Sequence, residues 1–133
     1  MIIVNTNIIF SALLVADSKL LAILQDDKNK FIAPTFLFVE IFKHKNKILK
    51  YSKIDEAKLL EILNQLFNNI QFISDKTLSD TSLKLAYELC REVDLNDFIF
   101  IAFTIEFNAL FWTRDKKLIE GLKKKGFDKF YYP

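Results

Sequence analysis

Residues 1–14 read MIIVNTNIIFSALL. The run Ile2-Ile3-Val4 is β-branched and apolar at every position, as in a strand covered on both faces, and Asn5-Thr6-Asn7 supplies turn-forming residues before a second apolar stretch at 8–14. A buried strand handing straight over to a helix is half of a parallel β-α unit.

The same alternation recurs along the chain. A helix is expected over 18–26 with Ser18 as its cap, then a brief strand at 30–33 before Pro34. Thr35 opens a helix expected to run to about residue 49, carrying Phe36, Leu37, Phe38, Val39, Ile41 and Phe42 around Glu40. Leu59, Leu60, Ile62, Leu63 and Leu66 give 55–67 a helical apolar face, with Ile54 as a hydrophobic staple, so that this helix and the one before it form a helical hairpin. Residues 70–73 return to strand character, 77 or 80 to 91 is helical, and a strongly apolar helix begins at Asp94 or Asn96 and ends near Asn108. A further core strand is expected at 109–113, a helix at 116–125 stopped by Gly126, and a last strand at 130–132. Short apolar strands alternating with helices imply right-handed crossovers and an α/β fold, a three-layer α/β/α sandwich around a central parallel sheet, formed by residues 1–133 as one domain.

Composition agrees with that class. Fourteen Phe against two Gly and two Pro argue for a helix-rich fold with short connections and against sandwiches, barrels and disorder. A net charge of +2 does not announce a nucleic-acid binder, but the cations cluster, with Lys43, His44, Lys45, Lys47, Lys50 and Lys53 in one group and Lys116, Lys117, Lys123, Lys124 and Lys125 in another. Either group alone reads as a solvated helix face; beside acids it would serve phosphate contacts. The single cysteine, Cys90, excludes an internal disulfide framework, reads as core, and suits a reducing cytoplasm. No signal peptide is expected at the N-terminus, and the longest apolar segment, 98–112, is interrupted by Glu106 and Asn108 and too short to span a membrane.

Four polar positions stand against this apolar background. Asn5, Glu40, Asp97 and Asp115 each lie inside or at the edge of an apolar run, where a carboxylate is costly unless it finds a cation, donors or a metal. In a parallel sheet, ligands bind beyond the carboxyl ends of the strands; Asn5 and Asp115 follow strands there, and Glu40 and Asp97 sit in early turns of helices that can reach the same edge. Carboxylates without cysteine or a second histidine suit Mg²⁺ or Mn²⁺, and the chemistry such a site supports is phosphodiester hydrolysis. Each acid alone also has a structural explanation. Asp97 fits a capping box begun by Asp94, Asp115 fits a helix cap, and Glu40 has Lys43 and His44 at helical spacing. His44 reads as a solvated helix position, Trp112 as core, and Ser11 has no base partner, while Thr6 and Thr113 lie beside acidic positions and are candidates to orient a ligand or water.

Taken in order, these segments resemble the PIN-domain family of metal-dependent nucleases, including VapC-like toxins of toxin-antitoxin pairs. MIIVNTNIIFSALL is similar to the family's opening strand with its Asp-Thr-Asn motif, FVEIFKH supplies Glu40, VDLNDFIFIAF supplies Asp97, and LFWTRDKKL supplies Thr113 and Asp115. The resemblance implies Mg²⁺- or Mn²⁺-dependent endonuclease cleavage of RNA, a homodimer and a cognate antitoxin protein as partner. It makes Glu40, Asp97 and Asp115 metal-site acids, with Asp94 as an additional acid and Thr6, Asn7 and Thr113 in support. The departure is Asn5, where the family has an aspartate. Asn5 keeps that metal-site position and is expected to offer a neutral carbonyl oxygen in place of a carboxylate; one negative charge is lost from the site, so weakened metal binding and reduced activity are expected. The alternative is a noncatalytic PIN-like module that binds RNA or a protein; a phosphoacceptor domain of receiver type fits less well, because Asn5-Thr6-Asn7 lacks the acidic pair it requires.

Overall fold

The computed structural model describes residues 1–14 and 18–133, Ser18 by its backbone alone, so the cap expected from the Ser18 side chain lies outside the described residues. The chain runs β1 (Ile2–Val4), α1 (Thr6–Leu14), α2 (Ser18–Gln25), β2 (Phe31–Pro34), α3 (Phe36–Lys43), α4 (Lys45–Ser52), α5 (Glu56–Phe67), β3 (Ile70–Ile73), α6 (Asp80–Cys90), α7 (Phe98–Glu106), β4 (Leu110–Trp112) and α8 (Lys116–Lys124). The four strands pair in the order β3-β2-β1-β4, every pair parallel.

Side-chain alternation explains the three layers. On β1, Ile2 and Val4 point into one core and Ile3 into the other; on β2, Phe31 and Ala33 oppose Ile32, and on β4, Trp112 opposes Phe111. The first core is closed by apolar residues of α1 to α5, the second by those of α6 to α8, which makes the expected α/β/α sandwich. Both faces of each central strand are therefore dry, and this is why the strands read as unbroken apolar runs.

Three expected elements differ in detail. The single helix expected from Thr35 to about residue 49 is two helices, α3 and α4, parted at His44, whose φ of −107° and ψ of 14° leave the helical region. The break re-aims the chain so that Ile48 is buried in the first core, and Lys53 ends α4 in the left-handed conformation (φ 59°). The apolar helix expected from Asp94 or Asn96 starts as a 3₁₀ turn, Leu95–Asp97, before α7 proper. The last strand at 130–132 reduces to one bridge, Phe130 to Phe111, with Phe130 packed in the second core.

Gly121 is a packing constraint within α8. A Cβ there would meet Val93 Cγ1 at 2.5 Å. Replacing Gly121 by Ala gains about 1 kcal/mol of helix propensity but overpacks a β-branched neighbour, at about 1–3 kcal/mol. Gly121→Ala is expected to lose about 1 kcal/mol by urea unfolding, whereas in a Val93→Ala background the same change is expected to stabilise; stabilisation in the parent chain would refute the contact.

Candidate active site

In a sheet ordered β3-β2-β1-β4, the chain leaves β1 in one direction for β2 and β3 and returns to its other side for β4, so the switch point lies between β1 and β4. Asn5 follows β1 and Thr113, Arg114 and Asp115 follow β4, which places both segments at the carboxyl edge of that crevice. The backbone joins them directly: the Asn5 N–H donates to the Trp112 carbonyl at 3.0 Å.

A polar network then fixes the side chains. Asn7 Nδ2 donates to Thr113 Oγ1 at 3.0 Å, and Thr113 Oγ1 accepts the Asp115 N–H at 3.2 Å. Asn7 Oδ1 accepts the Arg114 N–H at 3.4 Å. Asn7 and Thr113 thus brace the loop that presents Asp115, while Thr6 begins α1 and lines the cleft. Asp115 is also the N-cap of α8, accepting the Leu118 N–H at 3.1 Å, the structural role open to it in the sequence.

The third arm comes from the 3₁₀ turn before α7. Asp94 caps that turn by accepting the Asn96 N–H at 2.9 Å, and Asp97 stands at the start of α7. Asp97 does not cap α7; its Oδ1 accepts from Asn5 Nδ2 at 3.0 Å. Carboxylate oxygens of Asp94, Asp97 and Asp115 lie within 4.8 Å of one another, the acidic group that the described residues bring together with the spacing of a metal site. The donor set is all oxygen, half-buried and negatively charged, which fits a hard divalent cation and not a thiophilic one. Burial pushes the Asp97 carboxyl above the usual carboxylate range, the Asn5 hydrogen bond pulls it down, and the charges of Asp94 and Asp115 push it up again, with a net rise. Cys90 is buried close by, and its thiol is pushed up to about 12 by desolvation and then by Asp97 and Asp94, so it is an inert core group.

Glu40 stands apart from these three acids. It lines the cleft of about 330 Å³ that also touches Asn5, Thr6, Phe36, Asn96 and Asp97, but its carboxylate lies outside the three-acid group. Its oxygens are 3.9 Å from Lys43 Nζ and 3.8 Å from His44 Nε2, the helical pairings open to it in the sequence. His44 is exposed, as the solvated reading expects, and its ring also meets Phe10 edge-on at 5.5 Å. Asp94, which sequence ranked below Glu40, belongs to the cluster; its signal was the i, i+3 spacing from Asp97, which a capping box explains equally well.

An α/β protein with an acidic cleft at the switch point of a parallel sheet belongs to a class whose chemistry sits at the sheet's carboxyl edge. Residues 3–131 match the family model of the PIN domain, and the chain belongs to the PIN-domain family. No curated protein matches it. PIN domains are generally metal-dependent nucleases, and the three-acid cluster fits that chemistry. Among the described residues, no helix is long and apolar enough to cross a membrane.

Proposed function

We propose that this chain is a metal-dependent endoribonuclease that hydrolyses RNA phosphodiester bonds, a toxin-type PIN protein with reduced activity. The observation that carries this reading is the convergence of Asp94, Asp97 and Asp115 at the switch point of the sheet. Mg²⁺ or Mn²⁺, when bound, would polarise the phosphodiester and lower the pKa of an attacking water. In this reading, Asp94, Asp97 and Asp115 hold the cation, and Asn7 and Thr113 keep Asp115 in place. Glu40 supplies a further carboxylate on the cleft wall, with the Lys43 ammonium beside it available to a phosphate.

A cognate antitoxin and a second copy of the chain are the proposed protein partners, at work in the cytoplasm. Their support is the apolar groove between α3 and α5, about 300 Å³, lined by Phe38, Ile41, Phe42, Leu59 and Leu63, beside which Phe42 is 77% exposed. The specific observation favouring a second reading, a noncatalytic module that binds RNA or protein, is the Asn5 amide pointing into the acids.

Cleavage of a mixed RNA pool by the chain, with Mn²⁺ or EDTA and with Asp97→Asn beside it, tests the two readings. Cleavage is expected with Mn²⁺ and is expected to disappear with EDTA and in Asp97→Asn. RNA binding without cleavage, in this chain and in Asn5→Asp alike, would establish the noncatalytic reading instead.

A further inference from the structure

Asn5 lines the cleft and is 4% exposed, so each of its polar atoms must be matched within the fold. Its carbonyl Oδ1 accepts the Asn7 N–H at 3.0 Å, and its Nδ2 donates to Asp97 Oδ1 at 3.0 Å. These partners determine the orientation of the amide. A backbone N–H only donates and a carboxylate only accepts, so the flipped amide would set oxygen against oxygen and N–H against N–H at both contacts. The oxygen is thereby committed to the first turn of α1, and the face turned to the acids is an N–H.

We propose that Asn5 gives no oxygen to a cation and is a positioning residue, whose amide clasps Asp97 while Asp94, Asp97 and Asp115 alone form the cation's protein ligands. This rests on the metal reading above. The clasp leaves the second Asp97 oxygen and the other lone pairs of Oδ1 for the cation. It also offsets part of the repulsion among three neighbouring carboxylates when no cation is present, since a hydrogen bond to a charged acceptor is stronger than a neutral one. The arrangement has a cost for affinity: the amide hydrogens compete with the cation for Asp97. A weak, exchangeable site is the consequence.

Mn²⁺ titration followed by calorimetry separates the clasp from a ligand. Asn5→Ser keeps a hydroxyl able to accept the Asn7 N–H but is too short to reach Asp97, and Asn5→Ala removes both contacts, so one variant covers the other should folding suffer. Both are expected to bind Mn²⁺ as tightly as the parent chain or more tightly, because a competing donor is gone. Weakening beyond about 100-fold, more than the roughly 10–100-fold that loss of a supporting residue costs, would overturn the proposal and make Asn5 a ligand; weakening short of that would keep Asn5 a positioning residue. In a ¹⁵N spectrum, the Asn5 side-chain NH₂ pair is expected to stay protected from solvent exchange when Mg²⁺ is added; loss of protection would mean that the amide has turned. Asp97→Asn and Asp115→Asn serve as controls that are expected to abolish binding. If they bind as the parent does, or if the parent itself binds no Mn²⁺, the metal reading falls and the clasp as a positioning device falls with it. That outcome is distinct from weakening confined to the Asn5 variants.

Discussion

Changing Asn5 to aspartate is expected to lower the melting temperature by about 10 °C in EDTA and to restore it with Mn²⁺, while the parent chain shifts little between the two conditions. The two side chains have nearly the same shape, so one carboxylate oxygen still accepts the Asn7 N–H at the position of Asn5 Oδ1. The other oxygen then faces Asp97 Oδ1 across the 3.0 Å now spanned by the amide bond. Two carboxylates at that distance cannot both ionise without a cation, so one is held protonated, at a cost at neutral pH of about 1.4 kcal/mol for each unit by which its pKa is raised. Asp97 already lies above the usual carboxylate range through burial and its acidic neighbours, and the substitution deletes the one contact that lowers it. The sign of the pH dependence follows. Carboxyls whose folded pKa is raised stabilise most below their unfolded value and lose that contribution as pH rises through the folded one. The deficit of Asn5→Asp should therefore vanish below about pH 4 and grow toward neutrality. Mn²⁺ at about a hundred times its dissociation constant would return about 2.7 kcal/mol by mass action. Thermal unfolding across pH and Mn²⁺ concentration checks each part; equal melting of the two chains in EDTA at neutral pH would show that the 3.0 Å contact carries no such repulsion.

That contact was not legible in the sequence, although nearly everything that produces it was. The strands were legible because a sheet covered on both faces demands apolar residues at every position, and Ile2-Ile3-Val4 and Phe111-Trp112 meet that demand without local ambiguity. The break at His44 was hidden because 36–42 and 48–49 carry enough apolar residues to sustain one continuous helical pattern; burial of Ile48, a tertiary demand, decides it. At the site, chain order alone located Asn5, Asp97 and Asp115 at one edge, since strand ends and helix starts are topological facts. The choice between Glu40 and Asp94 was different in kind. Glu40 looked anomalous inside FLFVEIF, yet its side chain is about one-third exposed and has cations beside it, whereas Asp94 looked like an ordinary cap and is both cap and cluster member. Sequence shows that a polar residue sits in an apolar run, but not which way the helix face turns.

Asp115 permits a separation of structure from chemistry that no other acid of the cluster offers so cleanly. Its Oδ1 caps α8 through the Leu118 N–H, a task that asparagine performs as well as aspartate, and its backbone N–H is held by Thr113 whatever the side chain. Asp115→Asn is therefore expected to keep its stability within about 0.5 kcal/mol of the parent while losing a full negative charge from the three acids. Because the loss of a residue that merely supports a metal ligand costs about 10–100-fold in affinity or activity, losing the ligand's charge should reduce Mn²⁺-dependent cleavage by about 100-fold or more. Asp115→Ala should lose the same activity and, in addition, about 1 kcal/mol of stability, because the N-terminus of α8 is left uncapped. Paired urea unfolding and cleavage rates for the two variants distinguish a residue that only ends a loop from one that also serves the cleft. Were Asp115→Asn to cleave at the parent rate while Asp115→Ala unfolds more easily, Asp115 would be a cap alone, and the three-acid cation site would fall.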